Sequence, residues 1–339
     1  KEMDKIITHV TGCDGSGKST LCETLVRDLN GIYTHFSNPK DKADGKQQYF
    51  DFLEQNKSDN KMYICDRFHD GEWIYAPIYR GYTGDYLNDF ERAVINDHNY
   101  LLIFVTASLE TILNRTKIRG EDFVKEEHFQ LVLDNFKYNY LMNQRMPFTI
   151  IDTTNTSPED CVTIAKEDIK KLYDIWSKLR PCINRDSCSK TTNPMALPIG
   201  NIRAKYMVIG QNPGGKGQGS EQYIQTWSNG KSNDFFINIL KDAGILLDCW
   251  FTNVVLCSTS DNKINDEIVQ MCDHLINEID IIKPQKIFTL GNQASKYVKK
   301  IVKDIEIIEV PHPTYVKRFY SGHPDKIQGY KDLFKLNSI

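Results

Sequence analysis

Nothing in this 339-residue chain approaches the ~20 consecutive apolar residues that cross a bilayer, which excludes a helical membrane span. No segment has the charged, apolar and small-residue order of a secretory leader. A paired cysteine set is missing too: nine cysteines, an odd number, argue for a reducing compartment and against a disulfide framework. A cytoplasmic protein without a membrane partner is expected. Internal repeats and low-complexity tracts are absent. The first residue is Lys1 rather than Met, so leading residues are expected to be missing or foreign.

A large net charge is also lacking, at −3 for the whole chain, but that figure conceals an asymmetry. Residues 1–177 carry 21 Lys+Arg against 29 Asp+Glu, a net of −8, and residues 178–339 carry 21 against 16, a net of +5. An acidic half suits small-molecule chemistry and a basic half suits nucleic-acid contact, although a solvated lysine-rich face would count the same. The length and the 40% hydrophobic content suit two cores rather than one, and disorder is not expected.

The strongest motif is Gly12-Cys13-Asp14-Gly15-Ser16-Gly17-Lys18-Ser19-Thr20, between an apolar strand at 5–10 and a helix at 21–29. Its G-x-x-x-x-G-K-S spacing lets backbone N–H groups curl around phosphate oxygens with no Cβ in the way. Lys18 can reach the β- and γ-phosphates, Ser19 can ligate Mg²⁺, and the helix N-terminus adds its dipole. A nucleoside triphosphate, ATP with Mg²⁺, is the expected ligand.

Further strands at 31–36, 62–65, 101–105 and 148–151 alternate with helical stretches, including 47–56 and 128–146, as a parallel α/β sheet requires. Three features at strand ends should converge on the phosphate loop. Asp66-Arg67 follows an apolar strand, so the carboxylate can take a hydroxyl proton or organise Mg²⁺ while the guanidinium holds a phosphate. The run from Phe68 to Arg80 is aromatic-rich and suits either a nucleobase sandwich or core packing. The basic segment Arg115-Thr116-Lys117-Ile118-Arg119-Gly120 can close over the triphosphate, or be a solvated helix end.

A helix over 157–179 ends this half, broken at Arg180-Pro181, and the stretch 182–198 has little periodicity. The boundary is placed at 177/178. A second α/β unit follows, with strands at 204–210, 250–256, 286–290 and 305–310 and helices at 234–243, 264–282 and 294–302. Its Gly214-Gly215-Lys216-Gly217 is not a second phosphate loop, because glycine stands where the metal-binding hydroxyl belongs. Gln211-Asn212-Pro213 at a strand end can bond a base or position a water. Asn253 can pair with a Watson–Crick edge, which requires a flipped base. His312, between two prolines, can donate to an oxyanion developing on a pyrimidine carbonyl. Taken singly, each also fits a turn or a satisfied side chain.

On these motifs residues 5–177 resemble thymidylate kinases and related deoxynucleotide kinases: the loop 12–20, Asp66-Arg67 with its aromatic neighbour, Arg115…Arg119-Gly120, and Ile150-Ile151-Asp152-Thr153. The resemblance implies that Lys18 and Ser19 handle ATP and Mg²⁺ and that Asp14 approaches the acceptor sugar. It also implies that Arg67 holds the acceptor, with Arg115 and Arg119 on the moving phosphoryl group. The family's acceptor-site helix is replaced here by 73–86, which carries Gly81 and Gly84, so the acceptor need not be plain dTMP. A homodimer is expected by resemblance only.

Residues 180–335 resemble the uracil-DNA glycosylase superfamily. Gln211-Asn212-Pro213-Gly214 looks like its first motif, Thr252-Asn253-Val254-Val255-Leu256-Cys257 like the base-reading strand of its iron–sulfur members, and His312-Pro313-Thr314 like its last motif. The reaction implied is N-glycosidic hydrolysis, with Asn212 holding the water, His312 stabilising the leaving base, and Gln211, Asn253 and Trp227 at the base. Cys257 and Cys272 have the spacing of the family's last two cluster ligands. Cys182 and Cys188 stand near the first pair but with a longer spacing, which leaves a [4Fe–4S] cluster, zinc or idle thiols open. The other five cysteines read as packing.

The expected architecture is therefore a P-loop kinase domain with a parallel sheet, residues 1–177, followed by a glycosylase-like α/β domain, residues 178–339. The expected function is phosphoryl transfer from ATP to a thymidine-like acceptor, dTMP or 5-hydroxymethyl-dUMP, joined to recognition or excision of a base in DNA. In the alternative, the kinase acts on 5-hydroxymethyluracil already in DNA, and the second domain binds or rearranges that base without cleaving it. By analogy the pairing points to a bacteriophage with altered thymine bases, acting in the host cytoplasm.

Overall fold

A computed structural model describes residues 6–56, 60–97, 99–120, 124–183, 192–213, 223–225, 231–259 and 263–338. The chain divides into two compact units, Lys1–Tyr173 and Asp174–Ile339. No helix among the described residues is long and apolar enough to cross a membrane.

The first unit is an α/β fold on five parallel strands. They are β1 (Ile6–Thr11), β2 (Ile32–His35), β3 (Met62–Asp66), β4 (Asn99–Thr106) and β5 (Pro147–Asp152). Their order is β2-β3-β1-β4-β5, all parallel. β1 and β3 are buried along their whole length, as strands covered on both faces must be, which is why they read as continuous apolar runs. Successive crossovers leave β1 in opposite directions, so the loops after β1, β3, β4 and β5 open on one edge, where α/β sheets bind ligands. Helices α1 (Lys18–Leu29), α2 (Lys42–Asn56), α3 (Gly71–Ile74), α4 (Ala76–Tyr79), α5 (Asn88–Asp97) and α6 (Leu109–Arg119) make the connections.

The helix expected over 128–146 is broken into α7 (Phe129–Asp134) and a wide-turned stretch, Asn135–Leu141. Buried Asn135 explains the change: its amide donates to the Ile74 carbonyl at 3.0 Å and its oxygen accepts from Asn139 at 2.7 Å. The next helix, α8 (Pro158–Ile183), does not stop at Arg180-Pro181 as expected. A proline removes one hydrogen bond, which the last turn of a 26-residue helix tolerates better than its middle.

In the second unit, β6 (Thr192–Leu197), β7 (Ile199–Asn201), β8 (Tyr206–Gly210) and β9 (Tyr223–Gln225) precede α9 (Lys231–Asp242), β10 (Cys249–Asn253) and β11 (Cys257–Ser258). Helices α10 (Asp266–Met271) and α11 (His274–Ile282) lead to β12 (Lys286–Leu290), α12 (Asn292–Ile301), β13 (Glu306–Val310), α13 (Pro313–Tyr320) and α14 (Pro324–Leu336). The main sheet runs β7-β10-β8-β12-β13, parallel except for β7. A small sheet pairs β11 and β9 with β6. The single helix expected over 264–282 is two, because Cys272 leaves helical geometry (φ −101°, ψ 70°) and caps α10. The break starts α11 at His274, whose Nε2 lies 3.0 Å from the Asn253 carbonyl.

Candidate functional sites in the two units

β1 ends at Thr11 and the chain turns through Gly12, Gly15 and Gly17, all with positive φ, into the first turn of α1. The closest approach is at Gly12, where a Cβ would overlap the Val105 carbonyl oxygen. Lys18 is buried; its Nζ lies 3.2 Å from Asp14 Oδ1 and 3.5 Å from the Cys13 carbonyl. Ser19 and Thr20 are exposed in that first turn, so their hydroxyls can meet a phosphate-bound cation. Asp66 is buried at the end of β3: Oδ2 accepts from Tyr33 at 3.0 Å and Oδ1 has no hydrogen-bond partner. A buried carboxylate oxygen with nothing to accept fits a cation, which offsets its desolvation.

Arg67 has φ +62°, a left-handed conformation that is costly for a bulky side chain. Its N–H donates to the Val10 carbonyl at 3.3 Å and its guanidinium reaches Asp14 at 3.5 Å. Arg115 reaches the same loop from α6, donating to the Gly15 carbonyl at 3.3 Å. Arg119, the last residue of α6, is exposed. The structure thus brings Asp14, Lys18, Arg67 and Arg115 together.

Beside them lies a cleft lined by Thr11, Gly12, Asp14, Arg67 and by residues 36–39, among others. Phe36, Tyr49, Phe68 and Tyr75 give it aromatic walls, and Asp70, Glu72 and Arg80 give it charge. Aromatic walls beside charged groups are the chemistry that a flat base with polar edges calls for. Asp66 is not among its lining residues. Glu72 is fully buried and accepts from the Arg80 guanidinium and from Tyr86 at 2.9 Å. Asp70 accepts from Thr11 and from the Phe68 N–H, and its Oδ1 lies 2.7 Å from His9 Nε2. Burial pushes His9 below its ordinary value although Asp70 opposes this. Burial would raise Asp70, but His9 and Thr11 hold it below the usual carboxylate range.

Sequence reasoning singled out the 68–80 run without separating wall from filler, and it missed Phe36, Tyr49 and the 36–39 loop. Only an aromatic spacing across β2 and α2 hinted at these. His9 carried no signal, since one histidine in an apolar strand reads as core.

In the second unit Gln211 and Asn212 follow β8. Gln211 Nε2 donates to Asn212 Oδ1 at 3.0 Å, and Asn212 Nδ2 lies 3.3 Å from the Thr259 hydroxyl. Asn253 is buried at the end of the neighbouring β10. The Val254 and Val255 N–H groups bond the Gly210 and Gln211 carbonyls at 2.9 and 3.0 Å, which brings the two strand ends together. His312 caps α13: its Nδ1 accepts from the Thr314 N–H at 3.2 Å, so in the neutral ring the proton sits on Nε2. The ring is exposed, yet enough protein surrounds it for desolvation to lower its pKa. Gly291 lies against it, with space for a Cβ only at 3.4 Å from His312 Cβ.

Behind this face, Glu278 is fully buried and accepts from Trp250 Nε1 at 2.8 Å and Thr252 Oγ1 at 3.1 Å. Burial pushes its carboxyl up to about 8 against those donors. Burial likewise lowers His274 to about 4.

Cys257 and Cys272 are partly exposed, while Cys13, Cys22, Cys65, Cys161 and Cys249 are buried. Burial raises the thiols of Cys22, Cys65, Cys161 and Cys249, which keeps them protonated and inert. The described residues contain no group of three or more His, Cys, Asp or Glu placed to hold a metal. Cys188, Trp227 and residues 214–217 lie outside the described residues, as does the side chain of Cys182.

The family model described as the Uracil DNA glycosylase superfamily matches residues 197–334. A probable thymidylate kinase of Methanococcus aeolicus is 29% identical over 202 residues, covering 51% of this chain and 97% of that protein. A type-4 uracil-DNA glycosylase of Archaeoglobus fulgidus is 24% identical over 134 residues, covering 38% of this chain and 64% of that protein. Among solved structures, the YorR protein of Bacillus subtilis in complex with phosphorylated GDP aligns with a TM-score of 0.41 and 20% identity. That alignment covers 52% of this chain and 98% of YorR.

Proposed function

We propose that the first unit transfers the γ-phosphoryl group of ATP to a thymidine-like acceptor, and that the second recognises a pyrimidine in DNA. The observation that carries the first part is that Asp14 meets both Lys18 and Arg67 and, with Arg67, lines an aromatic-walled cleft. Backbone N–H groups of 12–17 and the α1 N-terminus would bind the triphosphate, with Lys18 leaving Asp14 for the β- and γ-phosphates. Ser19 and Asp66 would hold Mg²⁺, which when bound neutralises charge on those phosphates. Arg67 would fix the acceptor, and Arg115 would brace the loop. The acceptors proposed are dTMP and 5-hydroxymethyl-dUMP.

In the second unit, Asn253 and Gln211 would read a flipped base, with Trp227 as a stacking partner, and His312 Nε2–H would face its leaving oxygen. Cys257 and Cys272, with Cys182 and Cys188, would hold an iron–sulfur cluster or zinc. Pairing of Ser258 with Thr192 favours this, because it brings the chain just after Cys188 beside the strand that carries Cys257. Either group would supply structural cross-linking.

A second reading has its own support. Asn212 is an amide held by Gln211 and Thr259, and an amide cannot deprotonate water. That favours a unit that binds a base without cleaving it, with the kinase acting on 5-hydroxymethyluracil in DNA.

One experiment separates the two. The protein is given γ-labelled ATP with dTMP, 5-hydroxymethyl-dUMP, or duplex DNA containing 5-hydroxymethyluracil. Label in a free nucleotide supports the first reading, and label in the DNA supports the second. Transfer that survives Lys18→Ala would overturn both.

A further inference from the structure

We infer that Asp70, oriented by His9, is the carboxylate that takes the proton from the 5-hydroxymethyl hydroxyl of the acceptor base during phosphoryl transfer. This rests on the reading of the first unit as an ATP-dependent kinase and names a group within that site.

Three carboxylates line the cleft: Asp14, Asp70 and Glu72. They differ in what a proton would leave behind. Asp14 lies 3.5 Å from Arg67 Nη2, and 3.2 Å from Lys18 Nζ until the triphosphate draws that ammonium away, so neutralising it still gives up the contact to the Arg67 guanidinium. Glu72 is bound to the buried end of Arg80 and to Tyr86, so neutralising it strands a guanidinium in a site with little water. The basic partner of Asp70 is His9, 2.7 Å away, an imidazole that, unlike an ammonium or a guanidinium, can itself give up its charge, so a proton at Asp70 does not strand a fixed cation.

The geometry of the pair supports the same role. A carboxylate offers about four lone-pair positions. The Thr11 hydroxyl and the Phe68 N–H take two at Asp70, His9 Nε2 stands 2.7 Å from Oδ1, and the residue still lines the cleft. Behind it His9 Nδ1 lies 2.6 Å from the Tyr100 hydroxyl, which holds the imidazole with Nε2 toward Asp70. The His69 ring, whose centroid is 5.6 Å from that of His9, has its Nε2 3.2 Å from the Tyr140 hydroxyl and 3.1 Å from Glu91. These groups are all buried. A network of this kind is costly to maintain in a core and rigidly orients its outermost member, which is Asp70.

The step balances within the proposed reaction. The 5-hydroxymethyl oxygen of the acceptor bonds the γ-phosphorus of ATP and its proton passes to Asp70, whereas the 5′-phosphate of dTMP has no such proton to lose. The bond from phosphorus to the β–γ bridging oxygen breaks, and its electron pair leaves with ADP. Asp70 then returns the proton to solvent once product has left. His9 does not touch the substrate and acts by positioning.

The test uses the full chain with γ-labelled ATP and, in parallel, 5-hydroxymethyl-dUMP or 5-hydroxymethyluracil duplex, with dTMP as the acceptor whose phosphate oxygen needs no base. Asp70→Asn should lower kcat with the 5-hydroxymethyl acceptors by roughly 100-fold or more, the usual span for a lost general base. Its binding of a non-hydrolysable ATP analogue should stay within about threefold, which also reports folding. His9→Gln keeps a donor toward Asp70 and should lose about tenfold in kcat with the acceptor KM unchanged, while His9→Leu should lose more. Asp70→Asn transferring label to the 5-hydroxymethyl acceptors within about threefold of wild type would overturn the assignment alone. So would a kcat loss confined to Asp14→Asn or Asp66→Asn. Label in none of the acceptors with wild-type protein would overturn the kinase reading and this assignment with it.

Discussion

Arg115 is clamped onto Thr153: Nη1 donates to the Thr153 hydroxyl at 2.8 Å and Nη2 to its carbonyl oxygen at 2.9 Å. The same hydroxyl donates to the Ser16 carbonyl at 2.9 Å, so helix α6, the end of β5 and the phosphate loop share one polar junction. Arg115→Ala removes all of Arg115's bonds to it. The expected loss is about 1–2 kcal/mol of stability and roughly tenfold in ATP affinity. Arg115→Lys should recover little, because a point charge cannot make the paired contact. Thermal melts and nucleotide titration of the two variants check this.

Gly12→Ala should be far more damaging than its size suggests. The added methyl would overlap the Val105 carbonyl oxygen, which is backbone of a buried central strand and cannot swing aside. A loss of about 3 kcal/mol or more, or failure to fold, is expected. A soluble Gly12→Ala protein with wild-type melting temperature and ATP binding would contradict this packing.

Glu278 makes stability depend on pH in a definite direction. Its folded carboxyl titrates near 8, above its unfolded value of 4.5, so between these limits the folded state holds the extra proton and stability falls as pH rises. His274, lowered to about 4, acts in the opposite sense only below its ordinary 6.5. Between pH 6.5 and 8 the Glu278 contribution stands alone of the two, on the order of 2 kcal/mol. Melting curves over this window should show a downward slope that Glu278→Gln flattens. Parallel slopes for the two proteins would refute it.

His312 combines a cap with a free donor, and the two can be separated. His312→Ala should cost about 1 kcal/mol through the lost cap of α13. His312→Asn keeps a capping oxygen and should melt near wild type, yet it lacks the Nε2 donor. If the second unit releases uracil from DNA, this variant should slow release by about 10²–10³-fold. Unchanged release would remove His312 from that chemistry.

The cysteines divide by exposure, and iron content should follow that division. Cys257→Ser and Cys272→Ser should lose bound iron and absorption at roughly 400 nm, whereas Cys65→Ser and Cys249→Ser should keep both. Zinc in place of iron would identify the metal differently with the same ligands. Metal unaffected by the first pair would dissociate them from the site.

Much of this molecule could be read from the chain. Local order was legible where chemistry is local: the phosphate loop needs its glycines, lysine and hydroxyl within a few residues, and β12 was visible as 286–290 from its apolar run alone. The break at Cys272 was not legible, because α10 and α11 share one apolar periodicity and only the reach of His274 to the Asn253 carbonyl separates them. Strands β7 and β9, three residues each, are too short to show a period. Helices α13 and α14 were overlooked behind the prolines that start them.

By itself, then, the sequence determined the parallel α/β character of the chain, the phosphate loop and the candidate base-binding strand ends. These depend on residue types at fixed short spacings. Only the tertiary structure decided which carboxylates face the cleft, and with what partners. Asp66 and Asp70 sit four positions apart, yet Asp70 meets His9 across β1 and lines the cleft while Asp66 turns to Tyr33. That choice is set by strand order and by the left-handed turn at Arg67, and neither is written in any local spacing.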